Sequence, residues 1–247
     1  MKKARPSRKP KTIGILGGMG PEATAHFFRL VIENTAAGSD QDHAPVLVWN
    51  DPRVPARTEA ILRKGPSPLP RLLRGVRILE AGGAGLVVMP CVTAHHWASR
   101  IAAAGRVPFV NLLEEAVNFA LAEMPGLKRA GLVASSGTIA SGLWPRAFER
   151  TGVEILTPEP GEQETVMEAI FGRRGIKAGH TSGPSRDAVL RTAGRLVRRG
   201  AEAIIAGCTE VPLVLREDDL AVPLIEPMTI AARACLLRAG CPLKERP

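Results

Sequence analysis

Two cysteines carry the chemistry that can be read from this chain. Cys91, in Val87-Val-Met-Pro-Cys91-Val-Thr93, and Cys208, in Ile204-Ile-Ala-Gly-Cys208-Thr-Glu210, each stand where a short apolar run ends, 117 residues apart. Each has a threonine within two positions, Thr93 and Thr209. An unperturbed thiol titrates near pH 8.5, so modest tuning holds one sulfur as thiolate and another as thiol. Such a pair can take a proton from one face of a carbon and return one to the opposite face, with the roles exchanged when the reaction runs backward. The plain alternative makes both sulfurs small buried hydrophobes, a common fate of free cysteine. Their matched settings argue against it. The remaining cysteines, Cys235 and Cys241, add no CxxC pair and no spacing suited to zinc. No metal site is therefore expected, and the thiols read as those of a reduced, cytoplasmic protein.

Those sulfurs need a scaffold, and the sequence supplies one by alternation. Apolar runs at Thr12–Leu16, Pro45–Asn50, Gly85–Pro90 and Val107–Val110 read as buried strands, with helical patterns at Pro21–Ala36, Leu69–Ala81 and Thr93–Ala103 between them. The second half repeats the order. Its strands fall at Ala130–Ala134, Val153–Thr157, Ala203–Gly207 and Val222–Ile225, and its helices at Ile139–Arg150, Glu162–Phe171, Arg186–Arg199 and Thr229–Ala239. Gly14 and Gly131 repeat the 117-residue offset of the cysteines, and Val107-Pro-Phe-Val matches Val222-Pro-Leu-Ile at 115. The expectation is an α/β fold of two similar parallel-sheet half-domains related by pseudo-twofold symmetry, with right-handed crossovers and a site in the cleft between them. The last helix is expected back on the first half. That gives a first lobe of residues 12–111 plus 224–247 and a second lobe of residues 112–223. Helix N-termini after the cysteines would favour thiolate.

Composition narrows the partners. Of a formal charge of +9, six positive charges sit in a basic arm over residues 1–11, leaving +3 for the folded body. With no Tyr and 4% aromatic residues, a base-stacking surface is not expected, so nucleic acid is not a partner. No apolar run reaches the ~18 residues of a membrane span. The arm lacks a signal peptide's apolar stretch and reads as a solvated, disordered tail.

Four segments together carry a resemblance: Gly17-Gly-Met-Gly-Pro-Glu-Ala-Thr24, Asn50-Asp-Pro-Arg-Val-Pro-Ala-Arg-Thr58, Met89-Pro-Cys-Val-Thr-Ala-His95 and Gly207-Cys-Thr-Glu210. The chain resembles the aspartate/glutamate racemases, cofactor-independent amino-acid racemases, most closely the aspartate branch, from about Thr12 to Leu237. The resemblance implies a catalytic pair at Cys91 and Cys208. It also implies a substrate-binding region around Met19, Arg57, the residues after the first cysteine and Lys177. Homodimers are common among proteins of this kind. One position departs: Val92 stands where the family has asparagine, so backbone N–H groups and Thr93 must hold the substrate there, or the substrate differs.

Arg57 and Lys177 have Gly or Pro nearby and read as loop cations that could hold the two carboxylates of a dicarboxylic amino acid. Thr209 could bond a carboxylate, Glu210 could counter an ammonium group or orient a helix start, and the hydroxyl-rich turn Ser135-Ser-Gly-Thr138, Thr138 included, could meet a substrate carboxylate in the cleft or simply cap a helix. Gly18-Met-Gly20-Pro-Glu-Ala23 fits a dinucleotide fingerprint only loosely, since the acid closing the next strand, Asp51, comes 31 residues after Gly20 instead of about 20. A Cys91–His95 hydrolase pair is within one helical turn but leaves Cys208 unexplained. The leading expectation is racemisation of aspartate or glutamate. The alternatives are a cysteine-dependent isomerase or decarboxylase of a maleate-like dicarboxylate, and a non-catalytic two-lobed binding protein.

Overall fold

A computed structural model describes residues 9–245. The chain runs through β1 (Ile13–Gly17), α1 (Pro21–Asn34), β2 (Val46–Asn50), α2 (Arg57–Ile61), α3 (Leu69–Ala81), β3 (Leu86–Val88), α4 (Ala98–Ala104), β4 (Phe109–Val110) and α5 (Leu112–Glu123). It continues through β5 (Arg129–Val133), α6 (Ser136–Ala140), α7 (Leu143–Phe148), β6 (Glu154–Leu156), α8 (Pro160–Phe171), α9 (Pro184–Arg198), β7 (Ala203–Ala206), β8 (Leu224–Ile225) and α10 (Pro227–Ala239). The strands form two four-stranded parallel sheets ordered β2-β1-β3-β4 and β6-β5-β7-β8, the same order twice. This is the two-half α/β architecture that the alternation predicts. Most of the expected basic arm, residues 1–8, lies outside the described residues, and Lys11 is tied by its N–H to the Ala239 carbonyl at 2.8 Å.

The repeat extends into the helix starts. Asn111 caps α5 by accepting from the Leu113 N–H at 3.0 Å, and Glu226, 115 residues later, caps α10 by accepting from the Thr229 N–H at 3.2 Å. These equivalent helices pack on each other, and α10 also packs on α1. Their small and apolar residues, among them Leu112, Ala116, Ala120, Ala231, Ala232 and Leu236, join the two sheets through one core. That core runs from Ile13, Ile15 and Phe27 to Leu132, Trp144, Phe148 and Ile205.

Several expected boundaries move. Leu224 and Ile225 pair with Ile204 and Ile205, so β8 belongs to the second sheet, whereas the expected first lobe takes in the chain from residue 224. The helix expected over Ile139–Arg150 is two short helices. Gly142 takes a left-handed conformation at φ 62°, and Ser141 Oγ donates to the Thr138 carbonyl at 2.6 Å, closing α6. The helix expected over Thr93–Ala103 opens as a 3₁₀ turn, Thr93–Trp97, before α4. The Cys91 carbonyl that would begin an α-helical ladder is bonded instead by the Ala94 N–H, at 3.2 Å, and the His95 ring, at 2.9 Å. Helices α2 and α5 lie in segments that the pattern leaves unassigned.

Candidate functional site

Strands β3 and β7 occupy equivalent places in the two sheets, and the chain leaves each at its carboxyl end through a cysteine. Crevices outside the carboxyl ends of parallel strands are where open α/β sheets hold ligands. A cleft of about 430 Å³ lies there, and both Cys91 and Cys208 line it. From the first half come also Met19, Gly20, Arg57, Val92 and Thr93, and from the second Met167, Phe171, Lys177, Thr209 and Glu210. The volume is that of a site for a small molecule. Of the residues singled out in the sequence, Thr138 stays out of this lining. It is 1% exposed and sits behind Thr93, its Oγ1 2.8 Å from Thr93 Oγ1.

The two sulfurs differ in their surroundings. The Cys208 thiol donates to Glu210 Oε2 at 3.0 Å, and Thr209 Oγ1 donates to the same oxygen at 3.2 Å. The other carboxylate oxygen is ion-paired with Lys177 Nζ, which also stands 5.5 Å from the centre of the Phe171 ring. Burial, and after it the Glu210 charge, push the Cys208 thiol well above its ordinary range, against a weaker downward pull from Lys177. Cys208 therefore rests as a protonated thiol. The expectation of a thiolate at a helix N-terminus is corrected here for Cys208. At Cys208 the following 3₁₀ turn, Val211–Leu213, is too short for a helix dipole, and Glu210 acts in the opposite sense.

His95 does not reach the Cys91 sulfur. Its Nδ1 lies 2.9 Å from the Cys91 carbonyl, and its Nε2 accepts the Leu112 N–H at 3.1 Å, which fixes the proton on Nδ1. Burial lowers its pKa to about 4, so the ring is neutral and ties the cysteine turn to the start of α5. A Cys–His hydrolase pair does not form. The dinucleotide reading fails as plainly. Asp51 is buried and engaged by Arg53, at 3.1 Å, and Arg71, at 3.0 Å. Burial alone would raise its pKa, but these bonds hold it below the usual carboxylate value.

Arg57 is the first residue of α2 and not a loop cation as expected. Its guanidinium donates to the carbonyls of Val54 at 3.2 Å, Pro55 at 3.0 Å and Met19 at 3.2 Å. Among the described residues no carboxylate pairs with it, whereas Lys177, on the 3₁₀ turn Ile176–Ala178, is already neutralised by Glu210. Val92, 2% exposed, presents an apolar wall. Met167 and Phe171, one turn apart on α8, were not marked by the sequence. Their spacing marks one helix face, but not that the face meets a cleft. Among the described residues no three His, Cys, Asp or Glu side chains are gathered to hold a metal ion, and no helix is long and apolar enough to cross a membrane.

Comparison with known proteins agrees with this arrangement. The broad specificity amino-acid racemase RacX of Bacillus subtilis (strain 168) is 25% identical over 236 residues, covering 92% of this chain and 95% of the relative. The Picrophilus torridus aspartate racemase superposes with a TM-score of 0.84 at 29% identity, covering 95% of this chain and 96% of that one. A putative Asp/Glu racemase from Yersinia pestis gives 0.78 at 26% identity, covering 93% and 99%. The glutamate racemase of Francisella tularensis, solved with D-glutamate, shares the fold, with a TM-score of 0.66 at 14% identity over 94% of this chain and 82% of that one. The model of the Asp/Glu/Hydantoin racemase family matches residues 16–235, nearly the whole described chain, and the protein belongs to that family.

Proposed function

We propose that this enzyme racemises an acidic amino acid, aspartate or glutamate, by exchanging its α-proton with Cys91 on one face and Cys208 on the other. The observation that carries the reading is that both sulfurs line one small cleft from equivalent positions in the two halves. The thiolate of one cysteine removes the α-proton, and the thiol of the other protonates the carbanion on its opposite face. Each proton moves between a sulfur and the α-carbon, with no carbonyl cofactor or metal taking part in the step. Arg57, whose charge no carboxylate of the described residues balances, receives the side-chain carboxylate. Thr93 and backbone N–H groups bind where the family's asparagine would, beside the apolar Val92. Cys208 starts as the acid. When it must act as the base, its proton passes to Glu210 Oε2, 3.0 Å away, while Lys177 holds the other oxygen.

Deuterium incorporation at the α-carbon in heavy water, followed across a panel of D- and L-amino acids, tests this. Aspartate or glutamate should exchange and lose optical activity together. Cys91→Ala and Cys208→Ala should each slow racemisation by about 10³-fold, within the range that a positioned acid or base supplies. Racemisation at the unmodified rate by either variant overturns the mechanism. Val92 favours a second reading, isomerisation or decarboxylation of a maleate-like dicarboxylate, since no amide is then needed for an amino group. Incubation with maleate and analysis of the products separates the two.

A further inference from the structure

Helix α6 belongs to the second sheet's half, yet the contacts that matter most to the cleft are made with the first. A Cβ on Gly137 would lie 2.4 Å from Thr58 Oγ1 and 2.8 Å from Thr58 Cα. The second atom is backbone, so no side-chain rotation would relieve the clash, and α2 or α6 would have to move. Thr58 directly follows Arg57 at the head of α2, and α2 and α6 pack on each other. From the same turn, Ser135 Oγ and Thr138 Oγ1 reach Thr93 Oγ1 at 3.2 and 2.8 Å, and all three hydroxyls are buried. One turn of the second half thus seats both the helix that carries Arg57 and the threonine beside Cys91.

We propose that the turn Ser135–Thr138 is a positioning element that sets how tightly the cleft holds a side-chain carboxylate, with the bare Gly137 fixing where Arg57 stands relative to the two sulfurs. The Arg57 guanidinium is anchored on one side to three carbonyls, so the aim of its remaining N–H groups follows the placement of α2. A charge-assisted hydrogen bond pulled out of line loses most of its strength, enough to weaken binding about 10-fold. The sulfurs hang from β3 and β7, whereas the three atoms nearest a Cβ on Gly137 all belong to Thr58 of α2, so a displacement there falls first on Arg57. The use of a dicarboxylate rests on the acidic substrate proposed above; the binding half of the test does not rest on racemisation.

The experiment compares the full chain with Gly137→Ala and Thr138→Val. Calorimetric titration with succinate, an unreactive dicarboxylate, should show binding to the unmodified protein, and Arg57→Met should abolish it. Gly137→Ala should weaken it about 10-fold or more, and Thr138→Val, which keeps the side-chain volume but removes the bond to Thr93, by a smaller factor. In deuterium exchange with the acidic substrate, Gly137→Ala should raise KM by the same factor while kcat stays within about 2-fold. A merely structural role would lower kcat and the melting temperature together. Unaltered succinate affinity in a folded Gly137→Ala variant, loss confined to kcat, or an unmodified protein that does not bind succinate overturns the proposal. If Gly137→Ala does not fold, Thr138→Val decides alone, and unchanged affinity there overturns it. A succinate result as expected in a protein that exchanges no α-proton keeps the positioning role and sinks the racemase reading.

Discussion

Cys208 and Glu210 form a proton-sharing pair whose state can be read directly. Burial and the neighbouring carboxylate both hold the thiol protonated, so replacing that carboxylate by an amide removes one of the two causes. Glu210→Gln should therefore speed alkylation of Cys208 at pH 8, as followed by mass spectrometry in a Cys91→Ser background, and Lys177→Met should slow it. His95 makes a second titration testable. Its folded pKa of about 4 lies below the ordinary 6.5, so between those values the unfolded chain binds the extra proton. The stability it contributes is whole above pH 6.5 and is lost as pH falls toward 4, about 3 kcal/mol in full. His95→Gln keeps a donor and an acceptor without that titration. Urea denaturation at pH 7.5 and pH 4.5 should show a smaller acid loss for it than for the unmodified protein. The sequence revealed the two sulfurs because their spacing is a property of the chain itself. It could not reveal that Lys177 pairs with Glu210, 33 residues away, and it read Thr138 as a cleft residue because nothing local says which hydroxyl of a turn faces inward.

At the scale of elements, long buried runs were legible and short turns were not. All eight expected strands occur; the central ones, β1, β3, β5 and β7, are buried almost throughout and leave unbroken apolar runs in the sequence. Helix α5 was legible in principle, with Asn111 before it and Glu114 and Glu115 in its first turn, but its start coincides with the end of β4. The break between α6 and α7 depends on one backbone angle at Gly142, and a helical pattern on either side hides it. Gly142→Ala should cost roughly 1–2 kcal/mol by forcing a side chain into left-handed geometry, measurable as a lowered urea midpoint with an unchanged slope.

For the whole molecule, the core shared through α5 and α10 makes the two halves one cooperative body. Leu236, fully buried in that core, lies on the last helix. Leu236→Ala should destabilise the protein by about 2–5 kcal/mol. Fluorescence from Trp49 and Trp97 in the first half and from Trp144 in the second, followed in separate Trp→Phe variants, should report one coincident transition. Two separated transitions would mean that the halves fold independently. The placement of α10 has a further consequence for a chain made from its N-terminus. Helix α1 is complete at Asn34, but the helix that covers it begins at Pro227. At ribosomal speeds of about 5–20 residues per second, the apolar side of α1 waits roughly 10–40 s for its cover. Nascent chains stalled before α10 emerges should be protease-sensitive at α1 and bind holdase chaperones, and both properties should vanish once synthesis passes Ala239.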